Sequence, residues 1–483
     1  MTVAAPRLRH FIGGEWISSR GDRWIADVNP SDHADVVAQV PEGVVDDVTA
    51  AVNAASAALD AWRSLSGPAR AEHLYKWAAS IAERHEVLAQ LIAREVGKPI
   101  GEARGEVGRC VMILRYYAGE AVRAIGEVIP SQAAGSLQYT LREPLGVVAL
   151  ITPWNFPIAI PLWKTAPALA FGNTVVLKPA EAASQVAVAL AESALAAGLP
   201  NGVFNVVLGA GSSIGADLIG ADVVRAVSFT GSGAVGARVA AQAAQRNIRY
   251  QTEMGGKNVV IVMPDADIRQ AATLTAAGAM RYAGQKCTAT SRVVVAREVE
   301  DRFLTELRAQ VEALPLGPVT DVGAAVGPVI SERSRDSIVS VLSGLDVEPY
   351  YQGVLPRSPE FARGYWVPPT VIRNVNADSE LARRELFGPV LAELTADDLD
   401  HAIALANDTA YGLSASLFTR DLRAALRYVD RIHVGLVRVN GDTTGVDPHA
   451  PFGGMKGSSS GSREQGPAAR EFYTEIKTVQ VNP

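Results

Sequence analysis

Cys287 stands in Gly284-Gln285-Lys286-Cys287-Thr288 and is one of only two cysteines in the chain. Upstream, Glu253 opens the run Glu253-Met254-Gly255-Gly256-Lys257. A thiolate is a strong nucleophile, and a carboxylate nearby can activate the water that releases whatever the sulfur has captured. A lone cysteine is more often a small buried packing residue. The approach through Gly, Gln and Lys is too polar for an apolar core helix, so the pair points to covalent catalysis. Asn155 is a third candidate. It sits in Thr152-Pro153-Trp154-Asn155-Phe156-Pro157, a turn stiffened by prolines directly after an apolar run. A fixed amide donor there can hold a developing oxyanion, with the backbone N–H of Cys287 as its partner. Without Cys287 it would read as an ordinary turn asparagine.

These residues need elements to hold them. Leu145-Gly146-Val147-Val148-Ala149-Leu150-Ile151 is a continuous apolar run, as expected of a strand buried on both faces. From there the pattern alternates: a helix to about 170, strand 174–177, helix 184–197, strand 203–208, helix 212–219, strand 225–229, helix 234–246 and strand 248–252. Such alternation predicts a parallel doubly wound sheet, which binds ligands at the carboxyl ends of its strands. A second α/β series runs from Val259 to Val439. Ahead of both, residues 43–63, 66–96 and 99–124 read as amphipathic helices. Arg142 and Thr478-Val479-Gln480-Val481 flank the cores and can pair as an arm, and the Gly/Ser stretch 453–462 reads as a loop.

Gly231-Ser232-Gly233-Ala234-Val235-Gly236 follows a strand and opens a helix, a place where backbone N–H groups and the helix dipole suit a pyrophosphate. Two readings of the nearby acid stand open on spacing. Glu253 is either the ribose-binding carboxylate of a dinucleotide fingerprint, or the catalytic base, with the ribose on Lys178 and Glu181.

Composition narrows the classes. With 483 residues the chain exceeds the size at which a single core keeps growing, so at least two domains are expected. Its 48% hydrophobic and 20% charged residues describe an ordinary soluble globular protein, and the net charge of −6 offers no basic face for nucleic acid. Two cysteines exclude a disulfide framework and suit a reducing cytoplasm. No secretory signal is read at the N-terminus, no apolar stretch is long enough to span a membrane, and no metal-ligand spacing appears.

Together Glu253-Met254-Gly255-Gly256-Lys257, Gly284-Gln285-Lys286-Cys287, Thr152-Pro153-Trp154-Asn155-Phe156-Pro157, Glu385-Leu386-Phe387-Gly388-Pro389 and Pro451-Phe452-Gly453-Gly454 resemble the aldehyde dehydrogenase superfamily, in its order and over nearly the whole chain. The resemblance implies an α/β protein: a Rossmann-like doubly wound NAD(P)-binding domain (1–123 and 144–252), a second α/β catalytic domain (253–455) and a small β oligomerisation arm (124–143 and 467–483) of a homodimer or homotetramer. It implies Cys287 as nucleophile, Glu253 as base and Asn155 in the oxyanion hole. Lys178, Glu181 and Gly211 are expected at the adenosine ribose, Gly231 and Ser232 at the pyrophosphate. Thr152, Trp154, Gly255, Glu385 and Phe387 are expected around the rest of the cofactor. Glu181 beside a ribose 2′-hydroxyl favours NAD, with NADP possible for the family. A coenzyme A-acylating relative generally lacks the base that Glu253 supplies, and a non-catalytic structural relative need not keep Cys287, Glu253 and Asn155.

The substrate reading rests on charge. Arg281, six residues before Cys287, resembles the succinate semialdehyde dehydrogenase pattern, and Arg109 lies on the helix that lines the family's substrate tunnel. A guanidinium there can take a carboxylate bidentately; otherwise each arginine is a solvated helix face. The ending Gly445-Val446-Asp447-Pro448-His449-Ala450-Pro451 and Arg463-Glu464-Gln465-Gly466 resembles 2-oxoglutarate semialdehyde (2,5-dioxopentanoate) dehydrogenases. Trp163 replaces the second arginine of several carboxy-aldehyde members, and with Phe156 can favour an apolar or aromatic tail. Lys286 either lowers the pKa of Cys287 or points away.

Overall fold

Val147–Ile151 is buried because it is a central strand, with Thr174–Lys178 on one side and Val224–Thr230 on the other, both parallel. In this computed structural model, which describes residues 5–123 and 126–483, that strand belongs to an eight-stranded sheet. Residues 1–4, part of the terminus read for a signal, and 124–125, where the expected arm begins, lie outside the described residues. The strand order is Glu15–Ile17, His10–Ile12, Phe204–Val206, Thr174–Lys178, Val147–Ile151, Val224–Thr230, Arg249–Glu253 and Ser459–Gly461. Side chains alternate between faces along a strand, and two apolar clusters follow from it. Val148, Leu150, Val175 and Leu177 join the helices Gly67–Glu83, His85–Val96, Ile100–Glu120, Ala159–Ala170 and Ser184–Ala196. Val147, Ala149 and Val176 face the helices Val45–Arg63, Gly211–Gly220 and Gly233–Gln245. The sheet is doubly wound, as the alternation predicted.

A seven-stranded sheet holds the second series, in the order Tyr351–Gln352, Thr370–Ile372, Val390–Ala396, Arg292–Ala296, Val259–Val262, Ser414–Phe418 and Leu436–Val439, parallel except at its first edge. It too is covered on both faces, by separate clusters around Val260 and Val293 and around Ile261 and Val294. Thr474–Val481 pairs with Leu137–Pro144 in a three-stranded antiparallel arm, Arg142 opposite Ile476. Among the described residues no helix is long and apolar enough to cross a membrane.

Two expectations change. The stretch 66–96 is two helices: Arg84 leaves helical geometry at φ −95°, ψ 13°, and its guanidinium reaches Ala189 O and Glu192 on the neighbouring helix. The Gly/Ser stretch 453–462 is not a plain loop. It carries Met455–Lys456 and Ser459–Gly461, and the latter closes the eight-stranded sheet antiparallel to Arg249–Glu253. Short serines and glycines carry little strand signal, so the edge pairing had no mark in the sequence.

Candidate active site

Helix Ile268–Met280 ends in a turn in which Tyr282, Ala283 and Gly284 all have positive φ, at 56°, 49° and 64°. Left-handed non-glycine residues are costly and persist where the surroundings hold them. Here a Cβ on Gly284 would meet the carbonyls of Gly388 and Ala279. Gln285 then pins the chain, donating to Pro328 O (3.1 Å) and accepting from Ile330 N (2.8 Å). Cys287 follows, its carbonyl held by Asn258 Nδ2 at 2.8 Å. Burial pushes its thiol up to about 12, and the Glu385 and Glu253 carboxylates push the same way.

The three catalytic candidates meet. Asn155 is buried and gives one amide hydrogen to Gln285 O at 3.0 Å, which fixes its plane against the nucleophile's turn and leaves its second N–H. Glu253 ends its strand in a buried position, accepts from Ser459 Oγ at 2.5 Å, and has no partner for Oε1. Gly453, at φ 145°, brings the facing loop so close that a Cβ there would stand 2.8 Å from that oxygen. Burial, then the like charge of Glu464, raises the Glu253 carboxyl well above its ordinary range; Ser459 works the other way. Behind it lies a buried network that the motifs did not announce: Lys164 pairs with Glu464, and Ser228 and Gln251 join them. A lysine inside the otherwise apolar helix Ala159–Ala170 was its one visible sign.

Of the expected cofactor residues, Thr152, Lys178 and Gly231 end or follow strands of the first sheet, while Glu385 and Phe387 precede Val390–Ala396 of the second. Glu181 Oε1 accepts from Gly211 N at 2.9 Å, and Lys178 Nζ lies 3.7 Å from where a Gly211 Cβ would project. Glu181 is thus the acid grouped with Lys178. Ser232 stands at the N-cap of the helix Gly233–Gln245, but its hydroxyl makes no cap hydrogen bond, leaving the helix's first N–H groups without a side-chain partner. Gly231 N donates to Glu253 O, and a Cβ on Gly236 would meet the Met254 side chain, so the helix packs closely on it there. Farther along, Glu385 Oε1 accepts from Gly256 N at 3.0 Å, and its carboxylate fills the space a Gly255 Cβ would need. Its carboxyl is pushed up to about 7 by burial, against the pull of Gly256 N–H and Lys257. Trp154 and Phe387 meet edge to face at 5.7 Å. The buried Thr152 Oγ1 has no partner. An unpaired hydroxyl, free helix N–H groups and glycine-only cradles fit a dinucleotide.

Cys287 also faces a cavity of about 750 Å³, lined by Phe156, Trp163, Arg109, Arg281, Lys286 and Glu102 among others. Trp163 packs against Phe452 at 5.8 Å between ring centres. Arg109 is half-buried and spends one donor on Val446 O at 2.6 Å. Arg281 is half-exposed and stands 3.8 Å from Glu102. Lys286 points away from the thiol: its Nζ donates to Glu102 at 3.0 Å. Burial disfavours the Glu102 charge, but Lys286, Lys98 and Arg281 together hold its carboxyl below the usual range.

Fold and site together define an α/β oxidoreductase whose thiol faces a cavity. Residues 16–479 match the aldehyde dehydrogenase family. The chain is 44% identical over 477 residues to the alpha-ketoglutaric semialdehyde dehydrogenase of Bacillus subtilis (strain 168), with 98% of each covered. It is 37% identical to the NADP(+) succinate-semialdehyde dehydrogenase of Escherichia coli (strain K12), again with 98% of each covered. The crystal structure of an NAD-dependent aldehyde dehydrogenase from Sinorhizobium meliloti superposes with a TM-score of 0.94 at 38% identity, covering 99% of this chain and 95% of that one. The chain belongs to the aldehyde dehydrogenase family, and it is an NAD(P)-dependent enzyme that oxidises aldehydes.

Proposed function

We propose that the enzyme oxidises a semialdehyde that carries a distal carboxylate, 2-oxoglutarate semialdehyde foremost, to the dicarboxylic acid. The observation that carries this reading is Arg109: a guanidinium in the wall of the Cys287 cavity with no ion-pair partner among the described residues, its remaining donors open. Arg281 also lines the cavity, 3.8 Å from Glu102. The names of the most similar relatives point to the same class of substrate.

In this reading Cys287 sulfur adds to the aldehyde carbon as its proton passes to base, and the oxyanion rests on the second Asn155 N–H and the Cys287 N–H. Collapse of that adduct expels hydride and leaves a thioester. The nicotinamide supplies the hydride acceptor. Glu253 Oε1, buried and unpaired, then takes a proton from the water that attacks the thioester, freeing the acid and the thiol. Lys178, Glu181 and Gly211 hold the adenosine ribose, Gly231 and Ser232 the pyrophosphate, and Glu385 the nicotinamide ribose, with Thr152, Trp154, Gly255 and Phe387 around it. Glu181 accepts from a free 2′-hydroxyl and repels a 2′-phosphate, so NAD is the preferred cofactor.

We divide the chain as the family pattern implies, with the NAD(P) domain in 1–123 and 144–252 and the catalytic domain in 253–455. On the arm, Val128, Leu137, Leu141 and Val481 share one exposed apolar face. That supports a homodimer or homotetramer, which we place in the cytoplasm. The test of the substrate is NADH formation over length-matched acid and uncharged aldehydes, for wild type and Arg109→Met. We expect kcat/KM to favour the acid about a hundredfold and R109M to remove most of that preference, since hydrogen bonds to charged groups are worth about 1.5–3 kcal/mol each. Equal use of uncharged aldehydes by the wild type would refute the acid reading and make Trp163 and Phe156 the substrate-determining pair.

A further inference from the structure

Glu102, Glu106 and Arg109 recur at helical spacing on Ile100–Glu120 and all border the Cys287 cavity. From Glu102 to Arg109 is about 10 Å along the axis, at about 1.5 Å per residue. The charges along this face are unequal in availability. Glu106 is buried in an ion pair with Lys98 and also receives Ile158 N and Ala159 N. Asp442, which also lines the cavity, is closed by Thr444 N and Oγ1 at 3.0 and 3.1 Å. Glu102 alone answers two of the three cations in the wall, Lys286 at 3.0 Å and Arg281 at 3.8 Å. No carboxylate among the described residues answers Arg109.

We propose that Glu102 determines which acids the enzyme takes: by holding Lys286 and Arg281 it leaves Arg109 as the cation open to a carboxylate, and so sets the distance from that carboxylate to Cys287. The inference rests on the acid-semialdehyde reading and deepens it. Lys286 precedes the nucleophile directly. If its ammonium were uncovered, an acid would be drawn in with its carboxylate beside the sulfur, or with too short a chain between its ends. A carboxylate at the near end of the helix face prevents both. Glu102 touches no reacting atom; it acts through the cations it neutralises.

The test is a double-variant cycle on R109M, reading the ratio of kcat/KM for each acid semialdehyde to that for the uncharged aldehyde of equal length. The probes are succinate semialdehyde and 2-oxoglutarate semialdehyde, with butanal and pentanal as partners. R109M is expected to lower the ratio tenfold or more. Adding Glu102→Gln is expected to restore about tenfold, the shorter acid gaining most, because Lys286 and Arg281 are now free to bind it. A merely structural glutamate leaves the ratio unmoved, and a double variant whose ratio equals or falls below that of R109M overturns the proposal. Glu102→Ser, which leaves room for water at this half-buried site, carries the same expectation and the same refutation if the glutamine variant does not fold. A ratio that R109M itself leaves unchanged removes the carboxylate site, and the role of Glu102 with it.

Discussion

Removing the hydroxyl of Ser459 should move the pH dependence of turnover without touching the nucleophile. Ser459 Oγ stands 2.5 Å from Glu253 Oε2 and is the one side chain among the described residues that hydrogen-bonds this carboxylate. A hydrogen bond to a charged group is worth about 1.5–3 kcal/mol, and one pKa unit is about 1.4 kcal/mol. Ser459→Ala therefore raises the Glu253 pKa by about one to two units. Burial and Glu464 already hold that pKa above the ordinary carboxylate range. On the acid side of its pKa the fraction of ionised base falls tenfold per unit, so kcat at neutral pH drops about tenfold to a hundredfold and recovers one to two pH units higher. Stopped-flow NADH formation adds a second signature: the burst rate falls along the same shifted limb, because the thiol's proton passes to the same carboxylate. Glu464→Gln removes a like charge and should move the same limb toward lower pH. A uniformly depressed profile with its midpoint unmoved in S459A, or both variants shifting in one direction, would show that Glu253 is not the base that limits hydrolysis.

Asn155→Ala should cost about a hundredfold to a thousandfold in the burst rate itself, the range for loss of one oxyanion donor, while NAD binding measured by fluorescence stays intact. Glu181→Gln removes the charge facing the ribose and should raise kcat/KM for NADP about tenfold relative to NAD; an unchanged ratio would place cofactor discrimination elsewhere in the cleft. Gly255→Ala puts a methyl group where the Glu385 carboxylate lies, and a KM for NAD raised about tenfold with kcat changed less is the expected kinetic result.

What the sequence disclosed about this site follows a physical division. Cys287, Asn155 and Glu385 lie in runs whose neighbours, prolines, glycines and a buried strand, are themselves demanded by the local backbone, so chemistry and conformation leave a joint mark within a few residues. The doubly wound sheet was legible for a related reason: strands covered on both faces must be apolar throughout, and Val147–Ile151 and Thr174–Lys178 are. Ser459, Glu464 and Lys164 left almost none. Their roles arise from pairings across 206 and 300 positions, and each residue taken alone is an ordinary serine, glutamate or lysine. The edge strand Ser459–Gly461 shows the same limit, since its place in the sheet is set by Arg249–Glu253 rather than by its own residues.

Lys286 shows how adjacency in sequence can mislead about electrostatics. An ammonium one residue from a thiol invites the idea that it lowers the thiol's pKa, but successive side chains in a turn or strand point apart. This one crosses to Glu102, and its charge is spent there. The thiol is left among carboxylates and, with burial, is pushed up to about 12, so the protonated form predominates at neutral pH. Catalysis then requires the proton to leave as the carbon–sulfur bond forms, which makes the buried, partly unpaired Glu253 as necessary to acylation as to hydrolysis. On this account Glu253→Gln suppresses the NADH burst as well as the steady state; a variant that keeps its burst would restrict Glu253 to the second half of the reaction.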